Sequence, residues 1–251
     1  MIFWQIYALV YDHIMLHLLP YRRLLDAAAK SLNPKSGWHI LDAGCGTGNF
    51  LHHLLRLEPK VKADGIDFAP AMLQRAGLKS KKIVNWEHRV TLREADLNTF
   101  IPYGDEVFQG AACINVLYAV KRPDLLLKEI HRVLEIGGKL VLVTPPFEPK
   151  IFPVFKEHVQ QMKEGKPYYW PFFLSGQILC LAPWLFIFII LNMFIKKQES
   201  FHFLKREELI SLVEECGFEL LSLEKVYGDQ DWFLEAVKPA PEEKEEGLFF
   251  K

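Results

Sequence analysis

Apolar residues recur along most of the chain at either helical or strand spacing, and the two periods alternate. An apolar-periodic segment near residues 2–18 predicts a helix. Pro20 opens a second helix of about 21–32, which Asn33-Pro34 ends. The short run Trp38 to Leu41 predicts a strand. Thr47 to Leu57 carries Phe50, Leu51, Leu54 and Leu55 at helical spacing. Val61 to Ile66 is strand-like and stops at Asp67, and Pro70 leads into a helix over Ala71–Leu78. Further strands are expected at about 89–95, before Asp96, and at 107–114. Pro123 to Leu134 predicts an amphipathic helix closed by Gly137-Gly138, followed by a strand over Lys139 to Thr144. A helix at 205–216, a stop at Gly217 and strands near 218–227 and 231–237 come last, joined around Gly228-Asp229.

Strands alternating with helices imply an α/β fold, a parallel sheet with helices on both faces. The last two strands are separated by only a few turn-forming residues and must be antiparallel. A ligand is expected at the carboxyl ends of the first strands, near the switch point. Between Thr144 and the last helix lies a long excursion, residues 145–200. Within it, residues 172–195 carry no charge over 24 positions, between Lys166 and Lys196-Lys197.

Composition narrows the field. Half of the 251 residues are hydrophobic, enough to bury a full core. Lys plus Arg (30) balances Asp plus Glu (31), so no basic field points to nucleic acid. Cys45, Cys113, Cys180 and Cys216 form no CxxC pair, which argues against a zinc site or disulfide framework and suits a reducing compartment. Asp12, His13 and His17 interrupt the apolar N-terminus, and no cleavable signal is expected there. The Glu/Lys-rich stretch after Pro239 reads as a solvated, disordered tail.

Candidate chemistry begins with Asp42-Ala43-Gly44-Cys45-Gly46-Thr47-Gly48, a glycine-rich loop that follows a strand and opens a helix. Its glycines let the backbone turn tightly and approach a ligand. A dinucleotide loop reads GxGxxG; here position 49 is Asn and the spacing is GxGxG, which disfavours a pyrophosphate cradle. Asp67 ends the second strand, where a carboxylate can accept both hydroxyls of a ribose. Asp96 ends the third strand, placed to accept from an adenine amino group, and Asn115 ends the fourth. Each alone is ordinary; four in register on one sheet edge point to a nucleoside-bearing cofactor.

The segments LDAGCGTGNF (41–50), ADGIDFAPAML (63–73), READL (93–97), INVLYAV (114–120) and EIHRVLEIGGKLVLV (129–143) resemble the class I S-adenosylmethionine (SAM)-dependent methyltransferases, especially their small-molecule and lipid/quinone branch. FLKREELISLVEECGFELL (203–221) fits the same pattern. The resemblance implies a doubly wound, Rossmann-like seven-stranded sheet with a C-terminal antiparallel hairpin and an apolar helical insertion after the fifth strand. It implies that Asp42 and Gly44, Cys45, Gly46 and Gly48 hold the methionine part of SAM. Asp67 would hold the ribose, Phe68 flank the adenine, Asp96 and Leu97 contact the base, and Asn115 and Val116 line the reaction side. Tyr11-Asp12 resembles a pair that closes over SAM, although Tyr11 equally suits a core aromatic. Asn115-Val116-Leu117-Tyr118 stands where adenine or glutamine N-methyltransferases carry Asn-Pro-Pro-Tyr or Asp-Pro-Pro-Tyr, which counts against those substrates. No acidic pair suggests a metal. Tyr118 and His158 are conceivable bases but read first as packing; His52, His53, His131 and His202 read as structural, and no catalytic residue is assigned.

The expected organisation is N-terminal helices to residue 35 as a cap, a SAM-binding domain over 36–144 and 201–238, the insertion 145–200 and a tail from 239. The uncharged run is about 36 Å long as a helix at ~1.5 Å per residue, enough to cross a bilayer. A single crossing would separate the last two strands from their sheet. Three readings stay open: a shallow hairpin broken at Pro183-Trp184, an interfacial helix anchored by Trp170 and Trp184, or a water-soluble lid. With the apolar N-terminal helix, the run is expected to dock a cytoplasmic enzyme on a membrane for a lipophilic acceptor: phospholipid, quinone, acyl chain or isoprenoid. The alternatives are a methyltransferase of a soluble small molecule, a nicotinamide-dependent oxidoreductase, and a non-catalytic SAM-fold partner protein.

Overall fold

The computed structural model describes residues 2–146, 151–165, 169–196 and 201–241. Helices α1 (Ile2–Met15) and α2 (Leu19–Leu32) precede strand β1 (His39–Ala43), α3 (Asn49–Leu57), β2 (Lys62–Asp67), α4 (Pro70–Ser80) and β3 (Val90–Glu94). Then follow β4 (Phe108–Ile114), α5 (Pro123–Val133), β5 (Leu134–Thr144), α6 (Ile151–Gly165) and α7 (Trp170–Lys196). Helix α8 (Arg206–Glu215), β6 (Glu219–Val226) and β7 (Asp231–Val237) close the fold. The seven strands form one sheet in the order β3-β2-β1-β4-β5-β7-β6. β1 to β5 pair in parallel, and β7 runs antiparallel to both β5 and β6.

Period-2 alternation divides the core into two layers. Leu41, Ala43, Ala111, Cys113, Leu140 and Leu142 pack with α5 and α8 through Leu126, Ile130, Leu209 and Val213. Their neighbours Ile40, Ala112, Val141 and Val143 face the other way, against Leu25, Ala28 and Leu32 of α2 and Phe50, Leu51 and Leu54 of α3. So α2, grouped by the sequence with α1 in a cap, is one of the helices that cover the sheet. The chain crosses from β3 back to β4 beside β1, placing the switch point at the carboxyl ends of β1 and β4.

One expectation is corrected and one of the open readings is removed. Gly137-Gly138 does not close α5: β5 starts at Leu134, opposite Phe108, and the register slips between Phe108 and Gly110. Gly137 sits at φ +77°, a conformation that lets the strand bulge without ending. Pro183 does not break the apolar run: α7 continues through it. The excursion is instead two helices. Contacts from His158 to Gln177 and from Lys163 to Trp170 show α6 and α7 to be antiparallel. Helix α6, with its charged positions, escaped the sequence reading. The tail beyond Pro241 lies outside the described residues.

Helix α7 next runs antiparallel to α1, with Trp184 against His13 (4.8 Å) and Phe188 against Tyr7 (5.9 Å) and Tyr11 (6.5 Å). Leu174, Gln177, Leu181, Trp184 and Phe188 are its half-buried stripe, three and four residues apart. Phe172, Ile178, Leu179, Leu185 and Phe186 point outward and are exposed.

Helix α1 is fixed to the body by one buried carboxylate. Asp12 accepts from Lys79 Nζ (2.7 Å) and Arg75 Nε (3.0 Å) of α4, and from Thr47 Oγ1 (2.5 Å) beside the glycine loop. Lys79 also donates to Asn49 Oδ1, closing the cluster over the start of α3. Removing one partner of such a pair strands the others away from water. Asp12→Ala is expected to destabilise the protein by about 2–3 kcal/mol, below the fully buried range because Lys79 and Arg75 are partly exposed. Urea unfolding of the variant checks this.

Candidate active site

The glycine loop is bound to the end of β2. Gly44 and Cys45 both donate their N–H to the Ile66 carbonyl (2.8 and 2.9 Å), and Gly46 donates to Asp67 Oδ2 (2.8 Å). Gly48 donates to the Cys45 carbonyl. With these four donors engaged inside the protein, the loop has no row of free amides for a pyrophosphate. The polar chemistry left beside it is that of the Asp42 and Asp67 carboxylates, which suits a cationic ligand.

Gly44, at φ +81°, lies against Val116: a Cβ there would stand 2.2 Å from Val116 Cγ2. Val116 follows the strand that Asn115 ends, so the β1 and β4 edges interlock through this contact. Gly46 is also left-handed (φ +52°) and faces open space. The Cys45 side chain points instead into the fold, where its Sγ would meet a Cβ built on Gly65. It contributes to the loop by its backbone. Burial holds its thiol well above the usual range.

The predicted site residues gather at this edge. Asp42 is 2% exposed, and its Oδ2 has no hydrogen-bond partner among the described residues. Burial, and then the charge of Asp67, raise its pKa well above the carboxylate range. Asp67 is raised by burial against hydrogen bonds from Ala69 and Gly46 that favour its ionised form. The Phe68 ring is half exposed beside it. Asp96 is exposed and its Oδ1 accepts from Asn98, while Leu97 is buried beneath. Asn115 holds φ +56°, a strained backbone for a non-glycine residue, with a buried Oδ1 that lacks a partner among the described residues. Tyr11 hydrogen-bonds Tyr21 and stacks on Tyr7, a packing role at the roof of the loop. An orphaned carboxylate under a steric cradle fits a ligand carrying a sulfonium and an ammonium, so the residues suit SAM.

The two conceivable bases have other employment. His158 accepts from the Leu19 N–H (3.1 Å), and its Nε2 meets Gln177 (2.9 Å), tying α2, α6 and α7 together. Tyr118 is pushed up to about 12 by burial and by Asp231, which disfavours a phenolate. Sequence reasoning missed Asp231 itself. It opens β7 beside the ends of β4 and β5, 4% exposed, and burial pushes its pKa up to about 7, against a hydrogen bond with Asn115. The antiparallel turn that delivers it to this edge was legible, but its burial was not.

A methyltransferase-domain family model matches residues 34–206 of the chain. A ubiquinone/menaquinone biosynthesis C-methyltransferase, UbiE, from Geobacter sp. strain M21 is 33% identical over 141 residues, 54% of this chain and 57% of that protein. The chain thus spans little more than half the length of that curated relative. Among solved structures, the SpnF 4+2 cyclase superposes with a TM-score of 0.61 at 19% identity, over 88% of this chain and 82% of the other. The geranyl diphosphate C-methyltransferase of Streptomyces coelicolor A3(2) gives 0.59 at 12% identity, over 86% and 78%. At these identities the superpositions speak for the fold, and a cyclase among them shows that the fold alone does not define the reaction. The chain belongs to the methyltransferase-domain family.

Two outcomes are expected. Gly44→Ala meets both the positive φ and Val116, and should weaken S-adenosylhomocysteine binding more than tenfold by calorimetry. The second concerns pH. Asp231 keeps its proton in the folded state to about pH 7, whereas an unfolded aspartate loses it near pH 4. Between these values a rise in pH favours the unfolded chain, and the stability present at low pH is lost. The melting temperature of Asp231→Asn relative to the native protein should therefore climb from pH 4 to 7 and level off above, as read by thermal denaturation across that range.

Proposed function

We propose that the protein transfers the methyl group of SAM to a ring carbon of a lipophilic, quinone-type acceptor while docked on the cytoplasmic face of a membrane. When bound, SAM supplies an already activated sulfonium methyl, so the protein's task is positioning and exclusion of water. Asp42 and the Gly44–Gly48 loop would hold the methionine part, Asp67 the ribose, Phe68 the adenine face, and Asp96 and Leu97 the base. Asn115 and Val116 would face the acceptor. The similarity to quinone-biosynthesis C-methyltransferases supports the acceptor class.

The observation that carries the reading is where the apolar surface lies. Helix α1, pinned beside the loop by Asp12, is also the helix on which α7 packs. A helix apolar on all faces belongs in a protein core or in lipid, and the outward side of α7 has no protein over it among the described residues. Single apolar residues on a surface need no explanation, but a continuous helical face of Phe, Ile and Leu does. The start of α7 stays with the body, where Lys163 of α6 caps the Trp170 ring at 4.5 Å, and Phe201, where the described chain resumes after α7, stacks on Tyr118 at 5.5 Å. An interfacial helix therefore suits the geometry better than a crossing one. Of its two tryptophans, Trp184 turns toward α1, which leaves phenylalanine and leucine to enter the lipid. An open groove of about 450 Å³ between α1 and α7, lined by His13, His17, Phe172, Gly176 and Cys180, offers an apolar lane for a tail, away from the loop itself.

The native protein is expected to float with phosphatidylcholine vesicles. A Phe172→Glu, Leu179→Glu, Phe186→Glu variant should stay in the aqueous fraction with unchanged S-adenosylhomocysteine affinity. A native protein that is soluble without detergent and never floats would exclude the membrane reading and favour a lid over a soluble acceptor.

A further inference from the structure

An aromatic ring carbon becomes nucleophilic enough to take a methyl group when a hydroxyl on the ring gives up its proton, so a quinol-type acceptor requires a base. The loop-edge carboxylates are taken up elsewhere: Asp42, in β1 beside the loop, is assigned to the methionine part of SAM, and Asp67 is tied to two backbone amides. Among the described residues, Asp231 is a further buried carboxylate at the carboxyl ends of the strands.

Its position follows from the topology. Because β7 is antiparallel, its first residue lies where the parallel strands end; Thr144, the last residue of β5, pairs with Trp232. Asn115, after β4, donates its N–H to Val143 of β5, and its side chain is close enough to Asp231 to favour the ionised carboxylate. The next residue, Val116, is the one wedged over Gly44. Loop, Val116, Asn115 and Asp231 thus form a continuous line from the donor side to the interior of the edge.

The surroundings supply no counter-charge. Asp231 Oδ2 has no hydrogen-bond partner, and the residue makes no salt bridge, among the described residues. Tyr118, after β4, and Tyr227, in the β6–β7 turn, both feel its charge; Glu157 of α6 and Tyr21 of α2 act on Tyr227 in turn. The nearby Lys225 ammonium sits over the Trp232 ring at 5.0 Å. A buried carboxylate with no cation and one oxygen left without a donor opposes folding unless a ligand completes it. Tyr118 stacks with Phe201 and Phe203 at 5.5 and 5.6 Å, an aromatic wall beside the carboxylate.

We propose that Asp231 is a catalytic residue that accepts the hydroxyl proton of an aromatic acceptor, with Asn115 as its positioning residue. The proposal rests on the quinol-type reading of the acceptor. In the step, the acceptor O–H breaks and its proton joins Asp231 Oδ2. The oxygen electron pair moves into the ring, and the adjacent ring carbon forms the bond to the methyl group as the S–CH3 bond breaks, its electrons staying on sulfur. The methylated ring then loses its C–H proton to water, and its oxygen recovers a proton from Asp231. One proton is released per methyl transferred, and no oxidant is needed. The raised pKa of Asp231 near neutrality suits such a base.

The test uses the hydroquinol of a short-chain 2-prenyl-1,4-naphthoquinone, kept reduced with dithionite, with SAM and the full chain. Asp231→Asn should bind S-adenosylhomocysteine within threefold of the native protein, lose roughly 10²-fold or more in kcat, and lose the rise of kcat/KM with pH near neutrality. Asp231→Glu should recover part of kcat and the pH limb, which a merely structural aspartate would not require. An Asp231→Asn protein with native kcat and the same pH limb would overturn the proposal. If the native protein binds S-adenosylhomocysteine but leaves the naphthoquinol unmethylated, the acceptor reading fails and the proposal with it. Failure to bind S-adenosylhomocysteine would overturn the cofactor reading instead.

Discussion

Three consecutive backbone N–H groups, those of Gly44, Cys45 and Gly46, are committed to the end of β2. The rest of the site depends on this attachment. It folds the loop back onto the neighbouring strand and withdraws the donors that a phosphate-binding loop needs. Two carboxylates are left as the chemistry of the edge. On the other side of β1, Gly44 lies under Val116, and only a residue without a side chain fits there. The hydrogen bonds to β2 set the ligand's charge preference, and the Gly44–Val116 contact fixes the spacing between the β1 and β4 edges.

The second layer is built by Asp12. Its carboxylate joins α1, the start of α3 and the end of α4 in one cluster, so that the N-terminal helix becomes the roof of the loop. Thr47 and Asn49, chosen by the loop-to-helix turn, face this cluster and not a ligand. Helix α1 then offers its other side to α7, through Trp184 and Phe188. A chain of contacts therefore leads from the donor pocket to the most apolar surface of the molecule.

Polar strain concentrates at the carboxyl edge. Asp42, Asn115 and Asp231 each keep a buried oxygen without a protein partner among the described residues, and Asn115 holds a left-handed backbone. Glu157 and Gln161 on α6 add two more such oxygens. These five are acceptors, with the Trp232 Nε1 donor unpartnered beside Asp231 among the described residues, so most of these groups favour a ligand that brings donors or positive charge. Groups in this state oppose folding and persist where function keeps them.

Much of this was legible in the chain. The alternating periods fixed the layers, GxGxG with Asp67, Asp96 and Asn115 marked the edge, and the turn at Gly228-Asp229 made the last strands antiparallel. Local pattern suffices for these because strand faces, turns and strand ends are set within a few residues. Gly137-Gly138 misled because a glycine pair serves a helix stop and a β-bulge equally, and only the pairing of Leu134 with Phe108 decided between them. Pro183 misled because a proline costs a helix one hydrogen bond and a local clash, and α7, packed along α6 and α1, continues past it. Asp231 carried no signal in the sequence, and Asp12 read as an interruption in an apolar helix. Their burial, their partners and the absence of partners come from elements far apart in sequence, and those relations exist only once the chain has closed on itself.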